Sequence, residues 1–209
     1  MRKKNNEFIS IIKQDILNNT KSYLIVTGIF IIGILFGVIF INQMENKEEI
    51  TNYINTYIDE TKTLENGDFI GELKNDIKQN IGLVILLWFA GTTIIGIPIV
   101  LGIILFRGFC LGYTISTCVY VLGRVKGLLF ILITMLMQNI IYIPVLIILG
   151  VSSIKLYKSI IKDKRKENIK ISILKHTLTS IILAFALIIA SLIKIEISYR
   201  LIINLIKYF

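Results

Sequence analysis

An all-α, polytopic membrane protein of five transmembrane helices with interfacial amphipathic helices is the fold class this sequence predicts, on three observations. Hydrophobic side chains make up 55% of the 209 residues and charged ones 18%, with a mean hydropathy of +0.75, a balance foreign to a water-soluble domain of this size. Apolar runs recur at about the length, roughly 20 residues, that a helix needs to cross ~30 Å of hydrocarbon. Charges also segregate by sign: residues 1–21 hold five basic and two acidic groups, 155–175 hold eight and two, and 42–80 hold four and nine. Basic groups flanking apolar runs are the mark of segments that resist translocation, so the net charge of +9 reads as orientation in a membrane. Nucleic acid is excluded as a partner, because neither basic segment interleaves aromatics for base stacking. A soluble enzyme is excluded with it.

The elements follow in order. Residues 1–22 form a cytoplasmic N-terminal segment in which Phe8, Ile9, Ile12, Ile16 and Leu17 share one helical face, with Lys13, Gln14 and Asp15 elsewhere, predicting a helix on the membrane surface. Residues 23–41 are the first span. It outruns the apolar core of a signal peptide, and Asn42-Gln43 stands where small residues would mark cleavage, so it is expected to be retained. Residues 42–80 form an external helical segment, with Ile50, Tyr53, Ile54, Tyr57, Ile58 and Leu64 at helical spacing behind an Asn46 to Glu49 capping pattern. After the Asn66-Gly67 turn signal, Phe69, Ile70, Leu73 and Ile77 predict a second helix running into the next span.

Residues 81–154 are expected to hold spans two to four. Between 81 and 122 the only charge is Arg107, a length suited to a hairpin whose break should lie near 96–108, at Gly96-Ile97-Pro98 or Arg107-Gly108. Arg107 would then sit near a membrane surface. A fourth run covers 128–154. Residues 155–176 read as a basic cytoplasmic loop, 177–193 as the fifth span, and 194–209 as an external amphipathic tail with Glu196, Arg200, Asn204 and Lys207 in one stripe. Four spans before the basic loop return it to the N-terminal side, so the N-terminus is expected inside and the C-terminus outside.

Little chemistry is on offer. Cys110 and Cys118, eight positions apart on one helix, stand about 12 Å from each other and beyond disulfide reach. The lone His176, at the edge of the last span, has no second ligand at metal spacing and reads as an interfacial side chain. The acids of 42–80, Asp76 among them, read as a solvated face; fewer than 40 residues cannot build a sugar-binding cleft around a carboxylate pair. No catalytic, cofactor-binding or metal-binding residue emerges. Within the apolar runs the polar and punctuating residues are Gly96, Pro98, Arg107, Gly108, Gly112, Gln138, Asn139 and Pro144. They are candidates either for helix packing or for a solute pathway. The stretches 94–98 and 140–144 match at four of five positions and would form a parallel repeat if both spans ran the same way.

The segment 82–91, then Gly96-Ile97-Pro98, Phe106-Arg107-Gly108-Phe109 with Gly112, Gln138-Asn139 and Ile143-Pro144, resembles the stage II sporulation protein M family over roughly residues 15–195. Met137 departs from the pattern, since members commonly carry proline before the Gln-Asn pair. The resemblance implies a multi-pass protein of the mother-cell membrane that acts in engulfment of the forespore. It further implies a non-enzymatic scaffold for peptidoglycan hydrolases, stage II sporulation proteins D (a lytic transglycosylase) and P (an amidase and endopeptidase). No cofactor follows from it. On this reading the partners are the bilayer and those hydrolases, docked on Ile50, Tyr53, Ile54, Tyr57 and Ile58, with a homo-oligomer left open. The alternative from the residues alone is a small-solute permease or lipid-handling subunit built on Arg107, Gln138 and Asn139.

Overall fold

The computed structural model describes residues 10, 13–44, 48, 50–52, 56, 69–93, 95–134, 136–162 and 166–206, the side chains of 69, 72, 132–138, 162–168 and 195–206 excepted. Among the described residues there is no strand. Six helices follow in order: α1 (Thr20–Gln43), α2 (Phe69–Thr92), α3 (Gly96–Leu122), α4 (Arg124–Thr134), α5 (Leu136–Lys162) and α6 (Lys166–Ile206). Four stretches are long and apolar enough to cross a membrane: Thr20–Gln43, Gly96–Leu122, Asn139–Ile161 and Ile169–Lys194. Four of the five expected spans therefore meet that measure of length and hydropathy. The fifth is α2, whose apolar stretch, residues 81–92, is about half of a span.

Contacts give the helix directions. Phe30 of α1 lies at Gly108 of α3 and Ile34 at Gly112, so α1 and α3 are parallel. Gly33 and Gly37 approach α3 in return, at Leu105 and Phe109. A Cβ on any of these four glycines would strike a carbonyl of the facing helix, which is why two backbones can touch only where side chains are absent. α5 runs the other way: Lys155 pairs with Asp15 and Lys158 Nζ donates to Ser22 Oγ at 2.9 Å, placing its C-terminal end at the start of α1. α6 is antiparallel to α5, with Ser159 and Ser172 hydroxyls 2.8 Å apart. α2 is antiparallel to α6, with Asp76 at Lys194 and Trp88 at Thr177. Val26, Leu87, Ile104, Leu149 and Leu187, one from each of these five helices and none more than 1% exposed, share one core cluster. Outward faces carry Leu35, Phe36, Phe89, Phe106, Ile182 and Phe185, all more than half exposed, as suits a lipid-facing surface.

The turns correct several boundaries. α2 ends at Thr92 and α3 begins at Gly96, so the hairpin turns at the near edge of the expected 96–108 window, and α3 passes unbroken through Arg107-Gly108. Pro98 falls in the first turn of α3, where a missing amide donor is harmless, and Gly108 serves the contact with α1. Gly96 is required at this turn because a Cβ there would collide with the Ala90 carbonyl. Gly123, at φ 83°, ends α3 and folds the short α4 back so that Gly127 packs on Cys118 and Val119. The fourth run is thus divided between α4 and α5. The basic stretch expected as a loop over 155–176 is helical outside 163–165, and α6 continues past 193 to Ile206 without a separate tail. Pro98 and Pro144 stand at the start of one helix and inside another that runs the opposite way, so the parallel repeat falls.

Gly112→Val should lower stability by about 1–3 kcal/mol through the clash with Ile34, read as a fall in detergent denaturation temperature. Gly102→Ala, in open space on the same helix, should leave that temperature unchanged.

Candidate interaction faces and intramembrane polar residues

Of the expected docking face, Ile50 is helical and half-buried, while Tyr53, Ile54, Tyr57 and Ile58 lie outside the described residues. The intramembrane candidates do not gather at one place. Gly96 and Pro98 shape the α2–α3 turn; Gly108 and Gly112 meet α1. Arg107 sits deep in α3, away from the turn expected to bring it to a surface, because the helix begins eleven residues earlier. Its guanidinium carbon stands 5.7 Å from the centre of the Tyr142 ring on α5, a cation–π distance. Gln138 falls in the first turn of α5 with its side chain outside the description; Asn139 beside it is half-buried. Pro144 interrupts the hydrogen-bond ladder on the exposed side of α5.

The polar side chains that tie helices together are others. On α2, Asn80 is 5% exposed and donates to Asp76 Oδ2 at 3.1 Å and to Ser191 Oγ of α6 at 2.9 Å. Lys194 Nζ closes the set on Asp76 Oδ1 at 2.6 Å. Asp76, whose side chain is 14% exposed, is therefore an interhelical partner and not part of a solvated acidic face. The i, i+4 spacing of Asp76 and Asn80 was the available signal, but it names no partner until α6 is laid alongside.

At the other end of the same helix pair, Trp88 Nε1 donates to Thr177 Oγ1 at 3.0 Å. His176 is 1% exposed, with Nδ1 2.8 Å from Ser152 Oγ of α5, which corrects its reading as an interfacial residue. Its Nε2 lies against Gly91 of α2, where a Cβ would come within 2.8 Å of it and 2.5 Å of Ser153 Oγ. A histidine one residue from a lysine looked peripheral. Burial follows because α5 and α6 continue as helices past the membrane edge the sequence implied, so position 176 lies inside their contact. The Ser152–His176 pair is a nucleophile-and-base combination by type, yet its imidazole is sealed between three helices, and the contact joins α5 to α6.

Between the polar ends of the α2–α6 contact the facing side chains are small or apolar. A groove of about 160 Å³ opens there, walled by Ile81, Val84 and Ile85 on one side and Ser180, Ile181 and Ala184 on the other. None of Arg107, Asn139 or Pro144 lines it. At the α5–α1 end, Asp15 accepts from Tyr23 OH at 3.0 Å as well as from Lys155, so it faces the bundle while Ile16 and Leu17 point outward. Cys110 and Cys118 are both free, and no group of three metal-ligating side chains occurs among the described residues.

A double-mutant cycle of Asp76→Asn and Lys194→Gln, read by unfolding in detergent, should return a coupling of about 1 kcal/mol, the range for contacting polar pairs. Additive effects would remove the pair from the forces holding α2 to α6. Against known proteins, the family model of stage II sporulation protein M matches residues 26–197. Comparisons with curated proteins and with solved structures gave no match.

Proposed function

The chain belongs to the stage II sporulation protein M family, and from that premise we propose that it is a non-enzymatic scaffold that anchors septal peptidoglycan hydrolases during engulfment of the forespore. Family and apolar helices together make it a multi-pass, sporulation-related membrane protein. The family is not a known enzyme family. The partners on this reading are hydrolases of the stage II sporulation protein D and P type, held at the mother-cell membrane or septum.

The observation that carries the reading is the distribution of charge over the bundle. α1 and α6 both run away from the end where Lys155 and Lys158 meet Asp15 and Ser22, so the C-terminal end of α1, from which the acidic stretch of the sequence follows, and the far part of α6 share the opposite end. Partners that act on cell wall meet the protein there, outside, with the C-terminus on the same side. Within the acidic segment, Ile50, Tyr53, Ile54, Tyr57 and Ile58 supply the single-sided apolar spacing that a docking helix uses. The bundle interior offers less: its core cluster is apolar, and Arg107 is capped by an aromatic ring.

The test is recovery of bound proteins with the tagged full-length chain from sporulating cells. Hydrolases of both types should co-purify, and Tyr53→Asp combined with Ile54→Asp should reduce their recovery at least tenfold, about the effect of losing 1.4 kcal/mol. Reproducible absence of both hydrolases, with the chain intact in the membrane, would overturn the scaffold reading.

A further inference from the structure

The groove between α2 and α6 has no role in the scaffold reading, and its chemistry identifies an occupant. We propose that it holds one acyl chain of an anionic glycerophospholipid, with the phosphate at Lys170.

The walls come first. Where Ser180 and Ala184 of α6 face α2, their small side chains leave a groove at the surface of the contact, with polar bridges on either side. The polar groups near the groove are already committed. Ser180 Oγ donates back to the His176 carbonyl at 2.9 Å, and the Trp88 N–H and Thr177 hydroxyl are bonded to each other. Water needs two to four polar partners to stay in such a space, and the walls offer none. Left empty, the groove would forfeit dispersion contacts along its whole length. Ile85 and Ile181, 57% and 49% exposed, form an open rim toward the surface, so hydrocarbon from the bilayer has direct access.

The headgroup follows from what lies beyond Thr177. On α6, Lys170 stands seven residues before Thr177, two helical turns and about 10 Å nearer the basic end, on the same face. Ile173, 37% exposed, continues the apolar track between them. Lys170 is exposed, and Lys13, Lys21, Lys158 and Lys175 are exposed on the same end of the bundle. A lipid lying head-down in this track would place its chain against Ile81, Val84 and Ala184 and its phosphate beside Lys170. A zwitterionic lipid could fill the groove but would gain less from Lys170.

Trp88, the only tryptophan in the chain, borders the groove and reports on it directly. The full-length protein is reconstituted in phosphatidylcholine vesicles containing either phosphatidylglycerol or phosphatidylcholine with brominated acyl chains, and Trp88 fluorescence is followed against mole fraction. Brominated phosphatidylglycerol should half-quench at about fivefold lower mole fraction, the preference one lysine near a membrane surface supplies. Lys170→Gln, a change at an exposed position, should bring the two curves together. Ala184→Phe, which fills the groove, should weaken quenching by both lipids. Coincident curves for the unaltered protein would overturn the proposal by showing contact with bulk lipid only. So would an unchanged preference in Lys170→Gln. Quenching by neither lipid would also overturn it, and would mark the groove as covered by protein such as a second copy of the chain.

Discussion

Everything in the bundle follows from the close crossing of α1 and α3. In lipid, burying one apolar surface against another brings little hydrophobic gain, because acyl chains solvate leucine as well as leucine does. Association must come from dense packing, and Gly33, Gly37, Gly108 and Gly112 provide it by letting main chains meet. That contact also fixes direction. Two parallel helices leave the chain at the wrong end after the first, so the segment between them has to come back through the same layer. α2 is that return, and it must make it with an apolar stretch only about half a span long.

A helix forced across with polar turns at one end needs partners for them. An unpaired amide or carboxylate in hydrocarbon costs several kcal/mol, whereas a bond between helices adds only a modest net gain, so satisfaction is compulsory even where it stabilises little. Asn80 and Asp76 find Ser191 and Lys194; Trp88 finds Thr177. These bridges define the α2–α6 contact by its ends. Between them Ser180 and Ala184 are too small to fill the space opposite Val84, and the groove is the geometric remainder. The lipid site is in this sense a consequence of how α2 is held.

The apolar runs, their alternating directions and the unpaired cysteines were legible in the sequence, since each depends on composition within a single helix. Gly108 and Gly112 stood out too, although their partner helix could not be named from spacing. Less local matters escaped. Gly96-Ile97-Pro98 looked like the middle of a turn, but proline is tolerated in a first turn, so the same residues that stop one helix begin the next. Arg107 looked like the edge of a hairpin because a charge at depth is expensive; the aromatic face of Tyr142, 35 positions away, supplies the contact that a sequence window cannot see. Asp76 was assigned to solvent and His176 to the membrane interface by their neighbours in sequence, and both are held by α6 or α5 neighbours that only the tertiary fold provides. The docking face at Tyr53, Ile54, Tyr57 and Ile58 stands on periodicity alone.

The disposition of these polar groups bears on whether the bundle conducts anything. A solute path needs polar side chains stacked through the middle of the membrane. Here the bonded ones gather in two sets, Asp76, Asn80, Ser191 and Lys194 at one end of the α2–α6 contact and Trp88, Ser152, His176 and Thr177 toward the other, while Arg107 in the middle of α3 stands alone against the Tyr142 ring. Val26, Leu87, Ile104, Leu149 and Leu187 occupy the bundle interior, contributed by all five long helices and almost wholly excluded from solvent. To open a channel through that cluster, at least two of the five would have to withdraw, leaving a void in packing as dense as an organic crystal. The α1–α3 crossing resists such a rearrangement most directly, because Val26 and Ile104 belong to the helices whose backbones are already in contact. With the interior committed to packing, the described surface that remains is the outward apolar faces of the helices and the groove between α2 and α6.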